Sequence, residues 1–326
     1  VIGEDAAQDL RRRGQCWLDW ARQLDKPQIA LPPATRPSPV PDKSVLPPRL
    51  SITEIATLRR DPYAIFARRI LKLEPLDAID RAVTAGDLGT AVHDALALFT
   101  RQHPDALPAD AYQALMDAGQ TCFAPLAAMP EFAAFWWPNY QRIAEWFLEF
   151  EQNRRIEQPR IASEIAGRLT LRLAPDTSLD IHGRADRIEQ YHDGSFSIYD
   201  YKTGRAPSAK EVMARLESQL TVTAALVQQG GFDTIDSRTL RLFDYIKLGG
   251  KTGGEMADLS KNIKDQTLDE LVAAHWHGLK RLVQAHWLEQ RGFVSRLYPA
   301  KANSFGPYDH LARVKEWALG EQEDNA

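Results

Sequence analysis

The chain has 326 residues, and 40 Lys and Arg against 44 Asp and Glu give a net charge of −4. With 44% hydrophobic and 26% charged residues it has the composition of an ordinary globular protein, which excludes a simple polycationic nucleic-acid binder but not a local basic groove. Two cysteines, Cys16 and Cys122, exclude a disulfide framework and a four-cysteine metal site.

No apolar run reaches the ~18 residues of a membrane span, and no secretory h-region opens the chain. A cytoplasmic, reducing compartment is expected, with no membrane partner. With Val1 and not Met at its start, the chain is expected to be a piece of something longer.

The first stretch, 1–24, reads as a helix with Leu10, Trp17, Leu18 and Leu24 among its apolar positions, either an arm or the end of a preceding domain. Eight of the 20 prolines then fall between Pro27 and Pro48, so 25–49 reads as an extended linker. From residue 50 to 326 the pattern is that of one domain. Ser51-Ile52-Thr53-Glu54 is a capping box, and Asp61-Pro62 offers a second helix start. Helical periodicity continues over 81–102, 109–127 and 131–157, which makes a helical lobe of 50–157. The aromatics of the last stretch, among them Phe135, Trp146, Phe147 and Phe150, read as core.

A catalytic core is expected over about 158–255. Ile161–Leu173, Leu179–Tyr191 and Phe196–Lys202 alternate apolar and polar residues, which predicts strands. His192-Asp193-Gly194-Ser195 is a hairpin turn between the second and third. A helix over Ser208–Gln229, a strand over Thr239–Leu248 and a Gly/Lys loop over Lys247–Gly254 follow. The loop lacks the spacing of a phosphate-binding loop. C-terminal helices are expected over about 265–320, the first carrying His275 and His286 as packing or surface residues.

Residues two apart in a strand share a face, so Asp200 and Lys202 point the same way as Phe196 and Ile198. An acid and a lysine on an apolar face need a reason. If Asp186 lies on the adjacent hairpin strand, two carboxylates converge beside one ammonium. A hard divalent cation such as Mg²⁺ would stabilise both in ionised form and take charge off a phosphate oxygen. The plain alternative is an ion-paired hairpin in which Arg184, Arg187 and Lys202 neutralise the two acids.

Gly-Arg-Ala-Asp186-Arg-Ile-Glu followed by Ile-Tyr-Asp200-Tyr201-Lys202-Thr-Gly resembles the RecB-type PD-(D/E)xK nucleases. The upstream Gly89-Thr-Ala-Val-His93 resembles that family's Gly-x-x-x-His helix motif, and Ser-Gln219-Leu220 its Gln-Leu motif. The flanking Ser-Ile-Thr-Glu-Ile, Asp-Pro-Tyr-Ala-Ile-Phe-Ala and Pro-Tyr-Asp-His-Leu-Ala-Arg-Val-Lys segments resemble the C-terminal nuclease domain of AddB, a subunit of the bacterial AddAB helicase–nuclease.

The resemblance implies an α/β, restriction-endonuclease-like fold, a mixed central sheet flanked by helices after an N-terminal helical lobe. It implies Mg²⁺- or Mn²⁺-dependent cleavage of single-stranded DNA, as part of a double-strand-break repair machine with an AddA-like helicase–nuclease partner. Asp186, Asp200, the Tyr201 carbonyl and His93 would hold the metal, with Glu164 a further acid. Lys202 would be the catalytic lysine and Gln219 would position it or the water. Arg59, Arg60, Arg68 and Arg69 would make a DNA-backbone patch.

Many AddB domains hold an iron–sulfur cluster on four cysteines. Here Asp61, Phe305, Tyr308 and about Val314 stand at those positions, so no cluster is expected, and packing around Phe305 and Tyr308 is expected to join the C-terminal helix to the 51–71 helices. Two other readings stay open, a free-standing RecB-like exonuclease and a non-catalytic scaffold of this fold that binds DNA or a helicase subunit.

Overall fold

A computed structural model describes residues 3–26, 29, 34–76, 83–264, 266–297 and 306–323. They form two compact units, a large one within Pro37–Tyr308 and a small one drawn from the two chain ends, up to Arg36 and from Asp309.

Helix α1 (Glu4–Asp25) carries Leu10, Trp17, Leu18 and Leu24 at exposed positions. The later part of the proline-rich stretch is tied down within the large unit. The Pro37 and Pro39 carbonyls accept the N–H groups of Ser295 and Phe293 at 3.1 and 2.8 Å. Strand β1 (Arg49–Ser51) runs into α2 (Ile52–Arg60) through a capping box in which Ser51 and Glu54 each accept the other's N–H. Short α3 (Pro62–Ile65) continues in a wider π-type turn to Ile70. Helices α4 (Ala85–Gln102), α5 (Ala111–Phe123) and α6 (Trp137–Arg154) make the helical lobe.

Strands β2 (Arg160–Ala174), β3 (Thr177–Gln190) and β4 (Ser195–Lys202) form the expected antiparallel meander, with Gly194 at φ +79° in the turn. The helix expected over Ser208–Gln229 is broken into α7 (Ala209–Met213) and α8 (Gln219–Gln228). Arg215 takes φ +61°, and the N–H groups of Leu216 and Glu217 return to the Glu211 carbonyl, closing α7 before Gln219 starts a new helix.

Strand β5 (Thr239–Leu248) follows, then β6 (Gly254–Met256), α9 (Leu259–Asn262), α10 (Leu268–Trp287) and, in the small unit, α11 (Val314–Glu323). The Gly/Lys segment is the β5–β6 hairpin. Gly253 and Gly254 serve close packing, since a Cβ on Gly253 would lie 2.0 Å from the Arg142 carbonyl oxygen of α6 and one on Gly254 2.4 Å from the Trp146 ring.

The architecture is the expected mixed α/β one, a central mixed sheet flanked by helices. β3 pairs antiparallel with β2 along nearly its whole length. Its other edge pairs in parallel with β1 at 180–182 and antiparallel with β4 at 187–190. β5 runs parallel to β4 and β6 antiparallel to β5. Residues 183–186 of β3 thus lie between two pairings, at the point where β3 and β4 part. One apolar core on the sheet includes Ile52, Ile198, Leu226 and Trp276, and the other includes Phe99, Phe147, Tyr199 and Tyr201. Phe147 and Phe150 of the aromatic stripe are buried, while Phe135 is exposed.

The arginine beside Asp186 on β3 does not neutralise it. Arg187 is fully buried and paired with Glu151 of α6 and, at 2.8 Å, with Glu189. Arg154 reaches Glu189 at 2.6 Å and Arg155 reaches Glu151 at 2.6 Å. This network locks α6 onto β3 from the face opposite Asp186.

At two of the positions that the AddB resemblance sets against cluster cysteines, Asp61 accepts the N–H of Arg296 at 3.0 Å, and the Tyr308 hydroxyl donates to the Leu73 carbonyl at 2.6 Å. Phe305 lies outside the described residues.

Removing one member of a buried ionic network leaves a partner charge stranded. Glu151→Ala should lower the unfolding free energy by roughly 3–5 kcal/mol in denaturant titration; a loss within the range of ordinary surface substitutions would show that the network does not hold α6.

Candidate functional site

The site forms where β3 and β4 diverge. Beyond the Arg187–Tyr199 pair, the Asp186 carboxylate replaces a ladder carbonyl and accepts the Tyr201 N–H at 2.8 Å. On β4 the period-two expectation holds. Phe196 and Ile198 are buried in one core, and next on that face Asp200 and Lys202 form an ion pair at 2.5 Å.

The break between α7 and α8 puts Gln219 in the first turn of α8, where its amide bridges both residues. Its Nε2 donates to Asp200 Oδ1, and its Oε1 accepts from Lys202 Nζ at 3.2 Å. Lys202 also lies over the Tyr245 ring at 5.5 Å.

His93 arrives from the helical lobe. A Cβ on Gly89 would lie 2.7 Å from Thr203 Oγ1, so only a glycine lets α4 come this close to the end of β4. One turn later His93 projects on the same side. Its Nδ1 lies 3.4 Å from Asp186 Oδ2, and its ring stands edge-on to Tyr201.

Glu164 comes from β2. It sits between the Ser163–Arg187 and Ile165–Ala185 pairs, opposite Asp186, with φ +51°, a conformation rare for a non-glycine residue. Such departures cluster where a site holds them. Arg184 pairs with Glu164 at 3.4 Å. One ligand atom from each of His93, Glu164 and Asp186 lies within 4.8 Å of the others, a cluster able to hold a metal ion. Asp200 lies beside this cluster with its two oxygens on Gln219 and Lys202.

The electrostatics fit a cation. Burial pushes Asp186 up to about 6, against the Tyr201 N–H, and the Glu164 charge adds to the rise. Burial first, and then the Asp186 charge, push Asp200 up to about 7 despite Lys202. Burial lowers His93, against the pull of Asp200, and so favours its neutral, ligating form. Two buried acids with only one ammonium beside them are short of positive charge, and a divalent cation supplies it.

The ion-paired hairpin therefore accounts for part of the arrangement only. Lys202 does pair with Asp200, but Arg184 goes to Glu164 and Arg187 to Glu151 and Glu189.

The four arginines expected to form a DNA patch divide. Arg60 pairs with Glu217 at 2.7 Å and Arg69 with Glu54 at 2.5 Å. Arg68 is exposed, and Arg59 lines a cavity beside α10. His275 and His286 are buried packing residues, bonded at 2.9 Å to Thr221 Oγ1 and the Arg291 carbonyl.

Residues 49–291 match the family model of the PD-(D/E)XK nuclease superfamily. The chain belongs to that superfamily. The central mixed sheet flanked by helices is consistent with that superfamily's fold.

The chain is also 28% identical over 272 residues to an uncharacterized protein of Rickettsia bellii (strain RML369-C), covering 78% of this chain and 32% of that protein. It is 29% identical over 209 residues to an uncharacterized protein of Rickettsia conorii, covering 61% and 25%. It spans about a third or less of the length of these curated relatives. The crystal structure of SSO0001 aligns over 82% of this chain and 86% of that one, at 12% identity and a TM-score of 0.36.

A carboxyl raised from 3.8 to about 6 means that the native state binds a proton the unfolded chain has already released. Metal-free stability is therefore lost as pH rises through that window. Asp186→Asn keeps an acceptor for the Tyr201 N–H and removes the buried charge. It should raise metal-free stability by about 3 kcal/mol near pH 8, with the gain shrinking toward pH 4. A gain that does not change with pH would contradict the burial account.

Proposed function

We propose that this domain hydrolyses DNA phosphodiester bonds with the help of Mg²⁺ or Mn²⁺, acting on a single strand. The observation that carries the reading is Lys202 held between Asp200 and Gln219 beside the His93–Glu164–Asp186 cluster. His93, Glu164 and Asp186 would hold the cation, with Asp200 and the Tyr201 carbonyl completing the set that the motif resemblance implies. The cation would take charge off a phosphate oxygen and lower the pKa of a bound water.

The chain's own groups supply the rest. Lys202, fixed by two acceptors, stabilises charge that builds on the phosphate. Gln219 fixes the rotamers of both Asp200 and Lys202. The Tyr201 N–H fixes Asp186. The Asp186 oxygen that accepts the Tyr201 N–H keeps a further lone pair for a ligand bond.

In this reading the domain works within an AddAB-like helicase–nuclease in the repair of double-strand breaks by recombination. The flanking motifs support the AddB assignment. A net charge of −4 fits a nuclease whose strand is delivered at high effective concentration by a helicase subunit.

The test is cleavage of end-labelled single-stranded DNA with Mg²⁺, Mn²⁺ or EDTA. Cutting should need the cation and should fall by roughly 10²-fold or more in Asp200→Ala and in Lys202→Ala. Cutting in EDTA, or full activity in both variants, would contradict the reading. So would an absence of cutting that persists after a helicase partner is added, which would favour the scaffold.

A further inference from the structure

A cavity of about 810 Å³ opens between α2, the α7–α8 break and α10. Arg59, Arg215, Arg281 and Arg291 line it, with Glu289 the opposing charge. Among the described residues, no ion pair engages Arg215, Arg281 or Arg291, whereas Arg60, next to Arg59 on α2, is held by Glu217.

The cavity is built to present one of these guanidinium groups. Gly278 sits mid-way along α10, where glycine weakens a helix. A Cβ there would lie 2.5 Å from Arg215 Nη1. The glycine makes room for the guanidinium, and the left-handed Arg215 at the helix break aims it there. The field is felt nearby. Burial, and then the charges of Arg215 and Arg59, lower His275 to about 4 although its Nδ1 is bonded to Thr221.

We propose that this cavity binds phosphate groups of a nucleic-acid strand, with Arg215, Arg281 and Arg291 as the donors. The identity of the strand rests on the nuclease reading above. Guanidinium forks match phosphate oxygens, and donors spread over several elements around so large a cavity suit successive phosphates better than a single one.

The cavity is coupled to the catalytic end. Arg215 lies four residues before Gln219, whose amide holds both Asp200 and Lys202, and Glu217 between them is pinned by Arg60. A strand held at Arg215 would steady the segment that sets Gln219.

The experiment measures binding of a fluorescent oligothymidylate by anisotropy in EDTA across a salt series, so that no cleavage is involved. Arg281→Gln/Arg291→Gln should weaken binding by roughly tenfold and make the salt dependence shallower by about 0.7 per arginine. Gly278→Ala keeps the charge and improves the helix but displaces the Arg215 guanidinium, and it too should weaken binding. Unchanged affinity and salt slope in all variants would overturn the proposal. A loss in the double arginine variant with none in Gly278→Ala would reduce the effect to general surface charge and would also overturn it.

Inorganic phosphate is the second arm. If it stabilises the parent but not the double variant while the oligonucleotide binds both alike, the cavity takes a free phosphate and the strand proposal fails. A parent that binds in this pattern yet never cuts would sink the nuclease reading and leave the cavity standing.

Discussion

Two carboxylates at the end of a sheet, Asp200 buried and Asp186 largely so, with one lysine paired to Asp200, are the constraint around which this domain is arranged. Asp186 and Asp200 are pushed up to about 6 and about 7 by burial. No ordinary packing would place them so, because each is costly to ionise alone and the two repel. What makes the arrangement tenable is a set of fixed donors: the Tyr201 N–H on Asp186, the Gln219 amide and the Lys202 ammonium on Asp200. A cation held by His93, Glu164 and Asp186 would complete the compensation.

Each part of the fold that touches this centre serves its position. The β3–β4 ladder stops at Arg187, one residue after Asp186 in the chain, and that opening gives Asp186 its backbone donor. The Arg187 network anchors β3 from the opposite face, so a residue that looks like a counter-ion in the sequence acts as a structural fastener. Gly89 lets α4 approach, and the break at Arg215 turns what would be mid-helix Gln219 into a first-turn residue facing the lysine. Positions far apart in the chain are thereby held close to one another by rigid elements.

Much of this is legible in the sequence because it is local. Period-two alternation over Phe196–Lys202 predicts the shared face of Asp200 and Lys202, and Ser51-x-x-Glu54 predicts a cap that forms as written. The order of the Gly89/His93, Asp186, Asp200/Lys202 and Gln219 motifs points to the superfamily that the family model then shows.

What is not legible depends on partners remote in the chain or on backbone angles. The Glu151–Arg187 pair spans 36 residues and carries no local pattern. Nothing in the apolar spacing of Ser208–Gln229 announces the left-handed Arg215, and the alternation of β2 hides the conformation of Glu164. The glycines of 249–254 resemble a phosphate loop only in composition; positive φ angles call for Gly249 and Gly250, and the close approach to α6 calls for Gly253 and Gly254.

A divalent cation taken up beside Asp186 and Asp200 would displace protons from these raised carboxyls. Calorimetric titration of the metal-free domain with Mn²⁺ near neutral pH, in two buffers of different ionisation enthalpy, tests it most directly. Binding should be saturable with net proton release, and weakened in Asp186→Asn and in His93→Ala. Binding without proton release, or binding that both variants retain in full, would contradict it.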